Sequence, residues 1–134
     1  MLFRSLPRPV NVLTTHSAWL LSSLVLGCNG LLSGSGSVIP DLQAQLFHAV
    51  KANDLAEARR LNDRIYPLAR VFYADPWADM HNRMKEALVL LGRLPRAVVR
   101  PPLVKLAGAE IERIRGALVA AGLLDLQGRV LKAA

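Results

Sequence analysis

The sequence predicts an α/β chain in two unequal parts, a strand–helix–strand fragment followed by helices alone. Three observations predict it. Residues 10–15, Val-Asn-Val-Leu-Thr-Thr, follow a Pro-Arg-Pro entry and are rich in β-branched and apolar side chains, which suits a short strand. The run Gly30-Leu31-Leu32-Ser33 is short, apolar and bounded by glycines, the pattern of a parallel strand buried on both faces. From Ile39 onward apolar residues recur every third or fourth position, the period of helices with one buried face. The composition therefore divides the chain into residues 1–38 and residues 39–134.

Between the two strands a helix fits residues 17–26, where Trp19, Leu20 and Leu24 lie in a segment with little polar face, and Gly27 ends it. The loop Gly34-Ser35-Gly36-Ser37 precedes a helix whose first turn carries Pro40 and Asp41, both favourable there. Such a loop can cradle a phosphate. It lacks the third glycine of a dinucleotide fingerprint and the Gly-Lys-Ser/Thr of a P-loop, so its ordinary role is a tight turn.

Leu42, Leu46, Phe47 and Val50 form the stripe of that helix, and Asp54 with Glu57 reads as a capping box opening the next. The second helix carries Leu55, Ala58, Leu61, Ile65, Leu68 and Phe72 on one face, with Pro67 expected to kink it. Asp75-Pro76 marks a third start, with Pro76 at the first helical position and a stripe of Met80, Met84, Ala87, Leu88 and Leu91 before Gly92. A proline-rich connection covers residues 94–106. The last helix begins near Ala109, presents Ile111, Ile114 and Leu118, and stops at Gly122. Beyond Leu124 no pattern stands out.

With 134 residues, 52% apolar and 20% charged, the chain is no disordered tail, and its single cysteine excludes a disulfide scaffold. At 5% aromatic content the core must come from Leu, Val, Ala and Ile. The formal charge is +7. Its arginines are spread from Arg4 to Arg129, whereas a nucleic-acid footprint clusters on one face, so no nucleic-acid partner is expected. Arg59, Arg60 and Arg64, and Arg93, Arg96 and Arg100, read as solvated groups paired with neighbours such as Glu57 and Asp63.

Cys28 follows Val25-Leu26-Gly27, with Arg4 and Arg8 upstream, the outline of a bacterial lipoprotein signal. The apolar stretch from Ala18 to Leu26 is short and Thr14-Thr15-His16-Ser17 interrupts what precedes it. Spanning a membrane takes roughly 20 apolar residues, so no membrane partner is expected. The plainer reading is a buried helix followed by a buried strand.

The common catalytic constellations are missing. His16, His48 and His81 have no spacing for a shared metal, and Asp79 and His81 on one helix would diverge. His16 follows the first strand, on the side where α/β proteins place ligands; His48 reads as a surface residue. Ser33, Ser35 and Ser37 lack the complete Gly-x-Ser-x-Gly elbow. Lysines stand at 51, 85, 105 and 132, all in the helical part or its tail, so neither strand offers an amine for Schiff-base chemistry.

Taken in order, these segments resemble a known family. Leu26-Gly27-Cys28-Asn29-Gly30-Leu31-Leu32-Ser33, followed by Val38-Ile39-Pro40, is similar to the last strand and loop of the dihydrodipicolinate synthase / N-acetylneuraminate lyase family, whose pattern is Gly-x-x-Gly-hydrophobic-Ile-Ser. Asn53 to Asn62 with Tyr66-Pro67-Leu68, Lys85 with Ala87 to Gly92, Arg100-Pro101-Pro102-Leu103, and Val119 to Leu124 extend the resemblance across residues 12–124.

The resemblance implies a C-terminal fragment of a (β/α)8 TIM barrel, its last two strands, plus a C-terminal helical domain. Residues 1–38 would be the partial barrel, and residues 39–134 the last barrel helix and the helical domain. A complete barrel takes roughly 250 residues. Family members are class I lyases and aldolases, usually homo-oligomers, that hold pyruvate as an imine on a lysine of the sixth strand. A tyrosine of the fifth strand and a threonine pair after the second complete their site. This chain has no counterpart of these groups, so it carries no catalytic residue, and Tyr66 and Tyr73 fall in the helical region. Leu32 matches the position whose backbone carbonyl faces the bound 2-oxo acid. Thr15 matches a substrate-side position where many members have glycine, and His16 one where an acid is common. The implied ligand is a pyruvate-like 2-oxo acid, with no metal or other cofactor, in a cytoplasmic protein. Two alternatives stand beside this reading, a non-catalytic helical interaction protein and a lipoprotein anchored at Cys28.

Overall fold

The computed structural model describes residues 7–131. Two strands, β1 (Leu13–Thr14) and β2 (Gly30–Leu31), lie parallel, with Leu13 opposite Gly30 and Thr14 opposite Leu31. Between them runs α1 (Leu20–Val25), and after them come α2 (Pro40–Lys51), α3 (Leu55–Phe72), α4 (Met80–Leu90) and α5 (Gly108–Ala120). Strand, helix, strand and then helices is the expected order. The strands are shorter than the sequence predicts. Each finds only the other as partner among the described residues, and a ladder extends only where a second backbone answers it.

The expectation that residues 30–33 form a strand buried on both faces fails. Gly30 and Leu31 are half-buried and Leu32 is 70% exposed. Thr14 and Leu31 share the face turned toward the helices, while Leu13, 51% exposed, and Leu32 share the other, which nothing among the described residues covers. A side chain at Gly30 would come within 3.0 Å of Leu13 Cδ2, which explains the glycine there. The helix before β2 is not buried either. It opens as a 3-10 turn over Ser17–Trp19, and α1 buries Leu20 and Leu24 but leaves Trp19, Val25 and Leu26 exposed. Cys28 sits half-buried in the turn after α1, its N–H donating to Ser23 O.

The core is one cluster that draws on every helix. Leu20 and Leu24 of α1 meet Leu42 and Leu46 of α2, the α3 stripe Ala58, Leu61, Ile65, Leu68 and Phe72, Met84 and Ala87 of α4, and Ile114 and Leu118 of α5. Each fully buried Leu, Ile or Phe contributes about 1.5–3 kcal/mol of transfer free energy, so the α3 stripe is the largest single apolar contribution. α3 runs unbroken through Pro67. Asp54 Oδ1 accepts the Glu57 N–H at 3.0 Å as a cap. The reciprocal half of the predicted capping box is absent, because Asp54 N–H donates to Ala49 O and Glu57 turns to Arg60 Nε at 2.6 Å.

Pro76 is not the first residue of a helix. Its backbone is extended (ψ 135°), a 3-10 turn follows over Trp77–Asp79, and α4 starts at Met80. The cause lies in Arg83, which the sequence reading passes over. Its guanidinium is buried and donates to the carbonyls of Ala74 (2.6 Å), Asp75 (3.1 Å) and Pro76 (3.3 Å), fixing that connection in an extended path. α5 ends as expected at Gly122, which takes φ +68°. The tail has more order than its sequence signals: Leu124 bridges Val130 antiparallel around a turn held by Asp125.

Candidate active site at the strand ends

In α/β proteins ligands lie beyond the carboxyl ends of the strands. Here β1 runs out into Thr15, His16 and Ser17, and β2 into Leu32, Ser33 and the 3-10 turn Gly34–Ser37. The two exits meet through hydroxyls. Ser17 Oγ lies 2.8 Å from Ser33 Oγ and is hydrogen-bonded to the Ser35 hydroxyl. From α2, Gln43 Nε2 donates to Ser35 Oγ at 2.8 Å and reaches Ser33 Oγ at 3.4 Å. Ser17, Ser35 and Gln43 are all buried, so each polar atom needs these partners. Gly36 makes the approach possible, since a side chain there would come within 3.0 Å of Gln43 Oε1. The Gly-Ser loop thus turns Ser35 inward to fasten α2 to the strand ends.

An aromatic group stands beside the hydroxyls. The ring of His16 stacks on Tyr73 with centroids 4.2 Å apart and planes 27° from parallel, and Trp77 and Trp19 flank it at 5.9 and 6.3 Å. His16 Nδ1 accepts the Ala18 N–H at 3.2 Å. An accepting Nδ1 places the imidazole proton on Nε2. Tyr73 OH is 3.3 Å from Ser17 Oγ, so this tyrosine joins both groups. By sequence it is expected only as part of the helical region. The end of α3 carries it back to the strand ends across 56 positions, a meeting that no local pattern announces. Gln43 did leave a trace, as a polar residue beside Leu42 in the buried stripe of α2.

Thr15 is exposed on the rim. Leu32 continues the ladder through its N–H to Thr14 O at 2.8 Å, and no N–H of the described residues donates to its carbonyl. His48 is exposed and edge-on to Phe47, and His81 is exposed on α4. No group of three metal-ligating side chains occurs among the described residues, and no described helix is long and apolar enough to cross a membrane. The amine of Lys51 lies over the Phe47 ring and that of Lys85 donates to Val98 O at 2.6 Å. Lys105 stands in the connection before α5, and Lys132 lies outside the described residues. The strand-end cluster therefore offers hydroxyls, a carbonyl, an imidazole and aromatic faces, and no amine.

Comparison with known proteins agrees with this geometry. The sequence model of the Dihydrodipicolinate synthetase family matches residues 4–121. The chain is 31% identical over 125 residues to the 4-hydroxy-tetrahydrodipicolinate synthase of Laribacter hongkongensis, covering 92% of this chain and 41% of that protein. It is 34% identical over 113 residues to the enzyme of the same name from Nitratidesulfovibrio vulgaris, covering 84% and 37%. Among solved structures, dihydrodipicolinate synthase from Bacteroides thetaiotaomicron matches with a TM-score of 0.70 at 27% identity, over 81% of this chain and 37% of that one. Dihydrodipicolinate synthase from Cyanidioschyzon merolae, solved with lysine bound, matches with a TM-score of 0.72 at 29% identity, over 85% and 37%. The chain thus spans about two fifths of the length of the relatives it matches. Its two strands are the last two of a (β/α)8 barrel followed by the helical domain, and the chain belongs to the dihydrodipicolinate synthetase family.

Proposed function

We propose that this chain is the C-terminal portion of a Schiff-base, pyruvate-type lyase or aldolase, active only when the first six βα units complete the barrel. The observation that supports it is the parallel pair β1–β2 with an uncovered apolar face. Leu13 and Leu32 are 51% and 70% exposed on that face, and each strand has an unpaired outer edge among the described residues. Parallel sheets are covered on both faces, and a two-stranded pair is marginal in water. The completing units, on the same or another polypeptide, would cover the face and supply the imine lysine.

In the completed site the Leu32 carbonyl and the Thr15 hydroxyl face the 2-oxo acid. The Ser17–Ser33–Ser35 hydroxyls, tied to Gln43, fix the spacing of the two strand ends. The lysine forms the imine with the 2-oxo acid, so no metal or other cofactor is required, and the site lies in a cytoplasmic homo-oligomer as in the family.

The test is reconstitution. The chain is mixed with the first six βα units of the Laribacter hongkongensis relative, and pyruvate is added with borohydride. Reduction should trap pyruvate on one lysine of the supplied portion, and the 134-residue chain alone should trap none. A specific adduct on a lysine of this chain, or none in a complex that has formed, overturns the proposal. The same uncovered face fits a non-catalytic interaction module, which a complex without an adduct would favour.

A further inference from the structure

We infer that a groove on the helical half of the chain binds a small organic anion in which one carboxylate or phosphate is joined to an aliphatic body. None of its lining residues belongs to the strand-end cluster, so the inference stands apart from the aldolase reading. The groove measures about 430 Å³, inside the roughly 300–1,000 Å³ of small-molecule sites. It lies between the start of α2, the middle of α3, the end of α4 and the tail after α5.

Three arginines line it: Arg60 is already paired with Glu57, whereas Arg64 and Arg93 are held in place by backbone. Arg64 Nε donates to Ala121 O at 2.9 Å, closing the end of α5, and Arg93 Nη1 donates to Val38 O at 2.8 Å. By sequence both are expected to be solvated surface groups. Each instead spends one N–H on a carbonyl, and neither has a carboxylate within ion-pair distance among the described residues. A guanidinium offers five N–H donors, so most of each fork remains for an anion. Anchoring also removes part of the side-chain entropy that anion binding would otherwise cost.

The tail supplies the apolar wall, Leu123, Val130 and Leu131, the last two 51% and 45% exposed. Asp41 is the carboxylate on the lining, where it favours the first turn of α2 and repels an anion from that side. An acidic head group is thereby directed to Arg64 and Arg93, with its aliphatic body along the tail.

Calorimetric titration of the 134-residue chain with octanoate, octyl phosphate, inorganic phosphate and octanol tests this. Octanoate or octyl phosphate should bind saturably, the tighter of the two identifying the head group, and octanol and inorganic phosphate should bind at least about tenfold more weakly. Arg93→Gln, at an exposed position, should weaken the tighter probe about tenfold, the worth of a charge-assisted hydrogen bond. Leu131→Asn, also on the surface, should weaken it several-fold and provides a second variant should Arg93→Gln not fold. The inference is overturned if neither alkyl anion binds below about 10 mM, if octanol or inorganic phosphate binds as tightly, or if both variants keep the parent affinity.

Discussion

Arg83 and Glu110, 27 positions apart on α4 and α5, meet at 2.6 Å with the arginine side chain only 2% exposed. The pair does more than join two helices. The other face of the guanidinium holds the carbonyls of Ala74 and Asp75, so one side chain fixes the α3–α4 connection that sets Trp77 beside His16. Arg83→Met should destabilise the chain by about 3–5 kcal/mol, since it leaves the buried carbonyls without their donor and Glu110 with Arg113 alone. Glu110→Gln should cost less, about 1–3 kcal/mol, because Arg83 keeps its carbonyls. Urea denaturation of both variants checks the order, and equal or negligible losses would contradict it.

The helices were legible because their physics is local. The α3 stripe from Ala58 to Phe72, the Asp54 cap and the glycine stop at Gly122 each act within a few residues, and all are where the sequence places them. The strands were legible in kind but not in length or burial, because both depend on neighbouring strands, and among the described residues each has only the other. Arg83 was illegible for a different reason. An arginine beside a buried stripe normally reaches solvent, and its carbonyl partners become visible only once the connection has folded around it. The strand-end residues fall between these cases: Leu32, Thr15 and His16 could be named from their place after strands, whereas Tyr73 and Trp77 arrive from beyond α3.

Three glycines should respond oppositely to alanine. Gly116 lies exposed inside α5 with nothing within 4 Å of an added Cβ, so Gly116→Ala should stabilise by about 0.5–1 kcal/mol. Gly92 and Gly122 both take φ +68°, and alanine at either should cost roughly 1–2 kcal/mol. At Gly122 the new methyl would sit in ordinary contact with Arg64, 3.6 Å away, and at Gly92 it would meet nothing, so the backbone sets the cost at both. Thermal unfolding of the three variants should therefore rank Gly116→Ala above the parent and both Gly92→Ala and Gly122→Ala below it.

The hydroxyl network predicts a graded loss. Ser17→Ala removes a buried hydroxyl that bonds Ser33 and Ser35, and should cost about 1–3 kcal/mol by leaving partners unsatisfied. Tyr73→Phe breaks only the long 3.3 Å contact and keeps the stack on His16, so its loss should stay below about 1 kcal/mol. Denaturant midpoints measure both, and a larger loss for Tyr73→Phe would show that the network hangs from the tyrosine.

Acid should release the tail before it affects the core. Asp125 accepts the Arg129 N–H at 2.8 Å, the Arg129 side chain at 2.6 Å and the Gln127 N–H at 2.9 Å. The Arg129 backbone bond is the main cause that holds its carboxyl below the ordinary 3.8. A carboxyl whose folded value is depressed contributes its stability above the unfolded value, and that contribution fades as pH falls through the folded one. The Leu124–Val130 bridge should therefore stay closed at neutral pH, weaken only once pH falls below the ordinary 3.8, and open as pH falls through the lower folded value. Amide signals of Gln127 and Arg129 followed by NMR report the opening. Asp125→Asn should weaken the turn at neutral pH and remove its acid transition. A transition that persists in Asp125→Asn would assign the acid sensitivity to another carboxyl.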